Sequence, residues 1–159
     1  RESVYSLNRA HIVMINGKKN KNIEKKLLDI NKYLKIFYSE YLPINISKFK
    51  NKKIICFAGI GNPSNFFNLL NENEINVFEK VSFPDHYKYT DRELKNLIIK
   101  AKESNSTLLT TEKDYLRISK YYRKNIDYLK IKVEINNKIG FVEEIKKIIW
   151  KLLNIFLNL

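Results

Sequence analysis

The chain has 159 residues, 44% hydrophobic and 30% charged, with 30 Lys+Arg against 17 Asp+Glu and a formal net charge of +13. That balance excludes a disordered tail and is enough for one core-forming domain. A single cysteine, Cys56, excludes an internal disulfide framework and a cysteine-based zinc site, and two histidines leave little for a histidine-rich metal centre. The run from His11 to Asn16, ending at Gly17, predicts a buried strand. Ile23, Leu27, Ile30 and Leu34 fall on one face of an amphipathic helix over 22–35. Residues 36–46, rich in Ile, Phe and Tyr and broken by Pro43, predict extended structure or an edge strand. A second buried strand over 53–58 runs into Gly59-Ile-Gly-Asn-Pro63. A helix follows, with Asn62 suited to the N-cap and Pro63 to the first helical position.

Residues 76–83 alternate in part and predict a third strand, followed by a loop over 84–89. Thr90 and Glu93 have capping-box spacing for a helix that turns Leu94, Leu97, Ile98 and Ala101 inward. Thr107–Thr110 predicts a fourth strand, and Thr111 and Asp114 suit the start of a short helix. Residues 128–135 read as one strand and 140–159 as a long helix. Strands alternating with helices predict an α/β fold, a Rossmann-like three-layer domain with a mostly parallel sheet. Residues 1–10 form a leading segment outside it. The chain opens on Arg1 rather than Met, which suggests a piece of something longer.

Of the basic residues 25 are Lys and 5 are Arg, and the lysines are scattered in pairs such as Lys18-Lys19 and Lys146-Lys147. With heavy use of Asn, Ile, Tyr and Phe, this reads as composition bias and solvated faces, and no nucleic-acid partner is expected. Attraction to an anionic bilayer still follows from the charge. No segment has the apolar length of a transmembrane helix, and the single cysteine fits a reduced, cytosol-facing location. The last helix, with Trp150 beside lysines, is read as covering one face of the sheet rather than lying on a membrane.

Three polar clusters fall at predicted strand ends, where open α/β sheets bind ligands. Gly59–Pro63 offers backbone N–H groups to an anion, or is a tight turn that needs glycine for its backbone; it lacks a third glycine and the Gly-Lys-Ser/Thr ending of a P-loop. Asp85-His86 offers a general base or a partner that polarises one, or a loop histidine bonded to backbone. Thr110–Asp114 places Lys113 to meet a phosphate or a carboxylate, or leaves it solvated beside a helix cap. His11 reads as structural. On these features alone, a standalone basic module that binds nucleotide or a polyanion is the alternative to an enzyme.

Phe57-Ala-Gly-Ile-Gly-Asn-Pro63 with Phe66 and Phe67, then Phe83-Pro-Asp-His86 with Tyr89, then Leu109-Thr-Thr-Glu-Lys-Asp114 stand in one order and spacing. With these motifs the chain resembles the C-terminal half of the lipid A 4′-kinase (tetraacyldisaccharide 4′-kinase) family. The opening Arg1-Glu2, with Leu7, Arg9, Ala10 and Val13 to Asn16, resembles the segment that leads into that half. The resemblance implies two Rossmann-like lobes joined by a small strand linker, with the P-loop in the N-terminal lobe. Residues 1–10 are then the junction from that lobe and 11–159 the C-terminal lobe of a P-loop kinase. It implies transfer of the ATP γ-phosphate, with Mg²⁺, to the 4′-hydroxyl of a lipid A disaccharide-1-phosphate precursor, at the cytoplasmic face of the bacterial inner membrane. It implies catalytic roles for His86 and Asp85, with the histidine supporting an aspartate of the other lobe. It places Arg1 and Glu2 toward the nucleotide and metal, and leaves Gly59, Gly61, Asn62 and Lys113 as site-lining or structural. Ser3 stands where the family usually has proline, and His11 where it often has an acid. Glycines at 17, 59, 61 and 140 cannot compose a P-loop, so this chain is expected to be inactive alone.

Overall fold

Backbone hydrogen bonding along the chain builds two sheets, one of three strands and one of four. The structure is a computed structural model that describes residues 2–157. It divides into two compact units, one made of the chain's two ends (up to Leu42 and from Val133) and one of Pro43–Lys132.

In the unit of the two ends, a 3-10 helix over Val4–Arg9 precedes β1 (Ile12–Asn16). Helix α1 (Lys21–Ile30) starts where the Asn20 side chain accepts the N–H groups of Asn22 and Ile23. It ends at Ile30, five residues short of the expected end, because the side chain of its C-cap residue, Asn31, has other partners. Its amide donates to the carbonyls of Leu7 and Ala10, and its oxygen accepts from the Tyr33 N–H. Leu34 is therefore not on the helix; it leads into β2 (Lys35–Pro43) and is buried. Strand β2 is parallel to β1 and sits between β1 and β7 (Ile131–Ile135), so it is a central strand rather than an edge. Pro43 is tolerated as its last residue. Helix α6 (Lys138–Leu157) sets Phe141 edge-on against Phe37 at 5.3 Å. It begins two residues before Gly140, whose N–H donates to Asn137 Oδ1 at 3.2 Å.

The second unit has strands β3 (Ile54–Ala58), β4 (Val77–Ser82), β5 (Thr107–Thr111) and β6 (Asp127–Leu129) in the order β4-β3-β5-β6, all parallel. All five β3 residues are buried, as expected of a strand covered on both faces. Its side chains alternate: Ile54, Cys56 and Ala58 pack with Phe66, Phe67 and Leu70 of α2 (Pro63–Glu72). Ile55 and Phe57 pack on the other face with Leu94, Leu97 and Ala101 of α3 (Asp91–Glu103). Short helices α4 (Glu112–Arg117) and α5 (Lys120–Arg123) follow β5, and Ile118 and Tyr122 join that second cluster. The result is the three-layer, parallel α/β arrangement that the alternating pattern predicts.

The expected single strand over 128–135 is two strands in two sheets. Lys130 separates them because its backbone is paired elsewhere: its N–H donates to Asn45 Oδ1 and its carbonyl accepts from the Ile44 N–H, each at 2.8 Å. Among the described residues no helix is long and apolar enough to cross a membrane.

Candidate functional site at the sheet's switch point

The chain leaves β3, forms β4 on one side, then returns to place β5 on the other. The switch point therefore lies at the carboxyl ends of β3 and β5, where such sheets bind ligands. Gly59 follows β3, Asp114 follows β5 in α4, and the loop after β4 carries Asp85 and His86.

Asp114 is fully buried. Its N–H bonds the Thr111 hydroxyl that caps α4, and its Oδ2 accepts from the Thr111 hydroxyl at 2.8 Å and from the Gly59 N–H at 3.0 Å. Its Oδ1 lies 3.4 Å from Arg117 Nη1, one turn along the helix. Arg117 Nη1 also donates to the Gly59 carbonyl at 3.2 Å, and Nη2 reaches His86 Nδ1 at 3.0 Å. The His86 N–H returns to the Gly59 carbonyl at 3.1 Å and to Asp85 Oδ1 at 2.9 Å. Both backbone polar groups of Gly59 thus tie three segments together.

His86 has φ +59°, a left-handed conformation sparsely used by residues with a side chain. Its ring is exposed, and Nε2 lies 3.8 Å from Asp85 Oδ2. The loop rests on an aromatic cluster: Phe83 and Tyr89 meet Phe57 edge-on, and Tyr87 packs on Phe83 at 4.9 Å. The Tyr89 hydroxyl is buried with no hydrogen-bond partner; it lies near Asp114 without bonding geometry. Burial first, then the Asp114 carboxylate, push the Tyr89 phenol far above its ordinary value, against the opposing effect of Arg117.

Gly59 is required by close approach rather than by its backbone angle. A Cβ there would stand 2.8 Å from Tyr89 Oη and 3.3 Å from the Pro84 carbonyl. A Cβ on Gly61 would meet Asp85 Oδ2 at 3.3 Å. Asn62 occupies the N-cap of α2 with Pro63 next, but its side chain makes no capping bond. Lys113 is exposed, while its neighbour Asp114 is the residue turned inward. His11 is also exposed, at the start of β1. Glu2 is exposed and ion-paired with Arg9 in the other unit, and Arg1 lies outside the described residues. Sequence reading brought Asp85, His86 and the Gly59 turn to one edge but missed Arg117. Its only signal was the i, i+3 spacing from an acid at a strand end.

The described residues form no ready-made cage for a metal ion. They hold no group of three His, Cys, Asp or Glu side chains that could share an ion, and both Asp114 oxygens already face donors. No Gly-x-x-x-x-Gly-Lys-Ser/Thr run occurs in the chain to cradle triphosphate.

The fold and its polar edge define a Rossmann-like α/β protein with a candidate ligand site at the switch point. A model of the tetraacyldisaccharide-1-P 4′-kinase family, LpxK, matches residues 1–150, and the chain belongs to that family. The tetraacyldisaccharide 4′-kinase of Pelagibacter ubique (strain HTCC1062) is 31% identical over 151 residues, which is 93% of this chain and 48% of the relative. That of Rickettsia typhi is 40% identical over 114 residues, 71% of this chain and 35% of the relative. The solved LpxK of Aquifex aeolicus, in complex with ATP, shares the fold with TM-score 0.54 and 22% identity, over 93% of this chain and 45% of that one. The chain thus spans between about a third and a half of the length of these relatives.

Proposed function

We propose that this chain is the C-terminal half of a lipid A 4′-kinase. The whole enzyme moves the ATP γ-phosphate to the 4′-hydroxyl of a lipid A disaccharide-1-phosphate precursor. The observation that carries the reading is a family match over residues 1–150 in a chain whose Asp-His loop lies at the switch point of its sheet. Phosphoryl transfer rests on positioning and charge stabilisation. This half supplies a histidine and an arginine; ATP and Mg²⁺ are assigned mainly to the other half, with roles toward the nucleotide and metal for Arg1 and Glu2. His86 assists an aspartate of the other half in activating the sugar hydroxyl, and Asp85 fixes the His86 loop by accepting its N–H. Gly59, Gly61 and Asn62 shape the turn beside it. The same reading assigns the enzyme to the cytoplasmic face of the bacterial inner membrane, where a net charge of +13 favours anionic lipid.

The test joins this chain behind the N-terminal half of the Pelagibacter ubique relative and supplies ATP, Mg²⁺ and the lipid acceptor. We expect 4′-phosphorylated product from the joined enzyme and none from the chain alone. His86→Ala is expected to lower kcat by roughly 10²–10⁴. Kinase turnover by the chain alone, or an unchanged kcat in H86A, overturns the reading.

A further inference from the structure

We propose that Arg117 is a positioning residue that fixes the tautomer of the neutral His86 imidazole, with the proton on Nε2. The proposal deepens the role given to His86 above and rests on that reading. Arginine has donors and no acceptor, so the 3.0 Å contact from Nη2 makes Nδ1 of His86 the accepting nitrogen. A neutral ring then carries its proton on Nε2. A proton on Nδ1 would face the guanidinium N–H and open the contact.

The guanidinium is not free to follow the ring. Its Nη1 is held by the Gly59 carbonyl and faces the fully buried Asp114 carboxylate, and the side chain is only 25% exposed. The His86 backbone is anchored to the same Gly59 carbonyl and to Asp85 Oδ1. Ring and guanidinium are thus referred to one atom at the end of β3. Among the described residues, the charged groups in contact with the ring are Arg117 at Nδ1 and Asp85 toward Nε2.

The consequence is chemical. At 3.8 Å Asp85 Oδ2 is too far to accept from Nε2, so Nε2–H points its donor to an acceptor arriving from solvent. In that state the ring gives a hydrogen bond at Nε2 and does not take a proton there. It is suited to orienting a carboxylate or an oxygen of the acceptor, and removal of the hydroxyl proton falls to a carboxylate.

The experiment uses the full chain with ¹⁵N-labelled histidine. His11 is exposed and is the one other histidine, so a His11→Gln background leaves His86 as the single imidazole. Two-bond ¹H–¹⁵N correlation in the neutral state is expected to show one tautomer, with Nε2 protonated and Nδ1 accepting. Arg117→Met is expected to move both ring nitrogens toward the tautomer mixture of free imidazole. Arg117→Lys is expected to do the same, since one ammonium cannot hold Gly59 and His86 together as the planar fork does. Backbone amide spectra confirm that each variant is folded, and if R117M fails to fold, R117K carries the test. Ring signals unchanged from wild type in the folded variant overturn the proposal. The readout needs no turnover, so its failure is distinct from an unchanged kcat in H86A, which overturns the catalytic reading instead.

Discussion

Asp114 has no exposed surface, yet three donors from two segments converge on its carboxylate. A buried charge held this way is costly to disturb from one side only. Asp114→Ala leaves the Gly59 N–H and the Thr111 hydroxyl without their acceptor and takes the carboxylate away from the Arg117 guanidinium. It is expected to lower stability by about 3–5 kcal/mol in urea unfolding. Gly59→Ala acts by crowding: the new methyl meets Tyr89 Oη and the Pro84 carbonyl, and the second is backbone that cannot rotate away. The expected loss is about 1–3 kcal/mol by the same measurement. A wild-type midpoint in G59A would show that the loop yields freely. At this scale the sequence was legible where a residue type is rare, as at His86 and the Gly59 turn. It was illegible at Arg117, because an arginine three residues after an acid looks the same on a solvated helix face. Only the fold reveals that the acid is buried and that a histidine 31 positions away lies within reach.

The elements were most legible where capping chemistry marks their starts. In α3 the Thr90 hydroxyl accepts the Glu93 N–H, and the Glu93 carboxylate accepts the N–H and hydroxyl of Thr90, the reciprocal box that the spacing predicts. Tyr87 adds a hydrogen bond at 2.7 Å, which together with the Thr90 bonds holds the Glu93 carboxyl below its ordinary value of 4.5. A carboxyl with a depressed folded pKa contributes stability that is fully present above its unfolded pKa and is lost as pH falls through the folded one. Glu93→Gln is therefore expected to lower the melting temperature at pH 7, with the gap to wild type closing as pH falls below about 4.5. A gap that is constant from pH 7 to pH 3 would assign the effect to packing. Ends were harder to read than starts. The amphipathic pattern ran on through Leu34 because a buried residue entering a strand matches the same helical phase. One apolar stretch over 128–135 concealed a change of sheet, since β-branched spacing does not reveal that the Lys130 backbone is paired with Asn45 and Ile44. Both failures come from partners distant in sequence.

Across the whole molecule, the four-stranded unit is organised about β3, and Cys56 at its centre reports on that organisation. Its side chain has no exposed surface and packs with Phe66, Phe67 and Leu70 of α2. Burial pushes the thiol up from 9.0 to about 12, against the opposing pull of Lys80. The thiolate is the reactive form, so the native thiol is protected twice, by access and by protonation. Reaction with an aromatic disulfide reagent at pH 8 therefore requires the sheet to open between β3 and the α2 layer. The native labelling rate is expected to fall below the denatured rate by a factor set by that opening, and to rise with urea along the slope of global unfolding. Fast labelling with no urea dependence would place Cys56 in a locally mobile region and contradict the central position of β3. The same displaced pKa gives a pH signature. The folded state keeps the thiol proton that the unfolded state releases above about 9, so stability falls as pH rises from there toward 12. Cys56→Ala removes this one titration, so the stability difference between wild type and C56A is expected to shrink above pH 9. A difference that stays level across that range would mean that the thiol has the same pKa in both states, and that β3 is not sealed by the layers on its two faces.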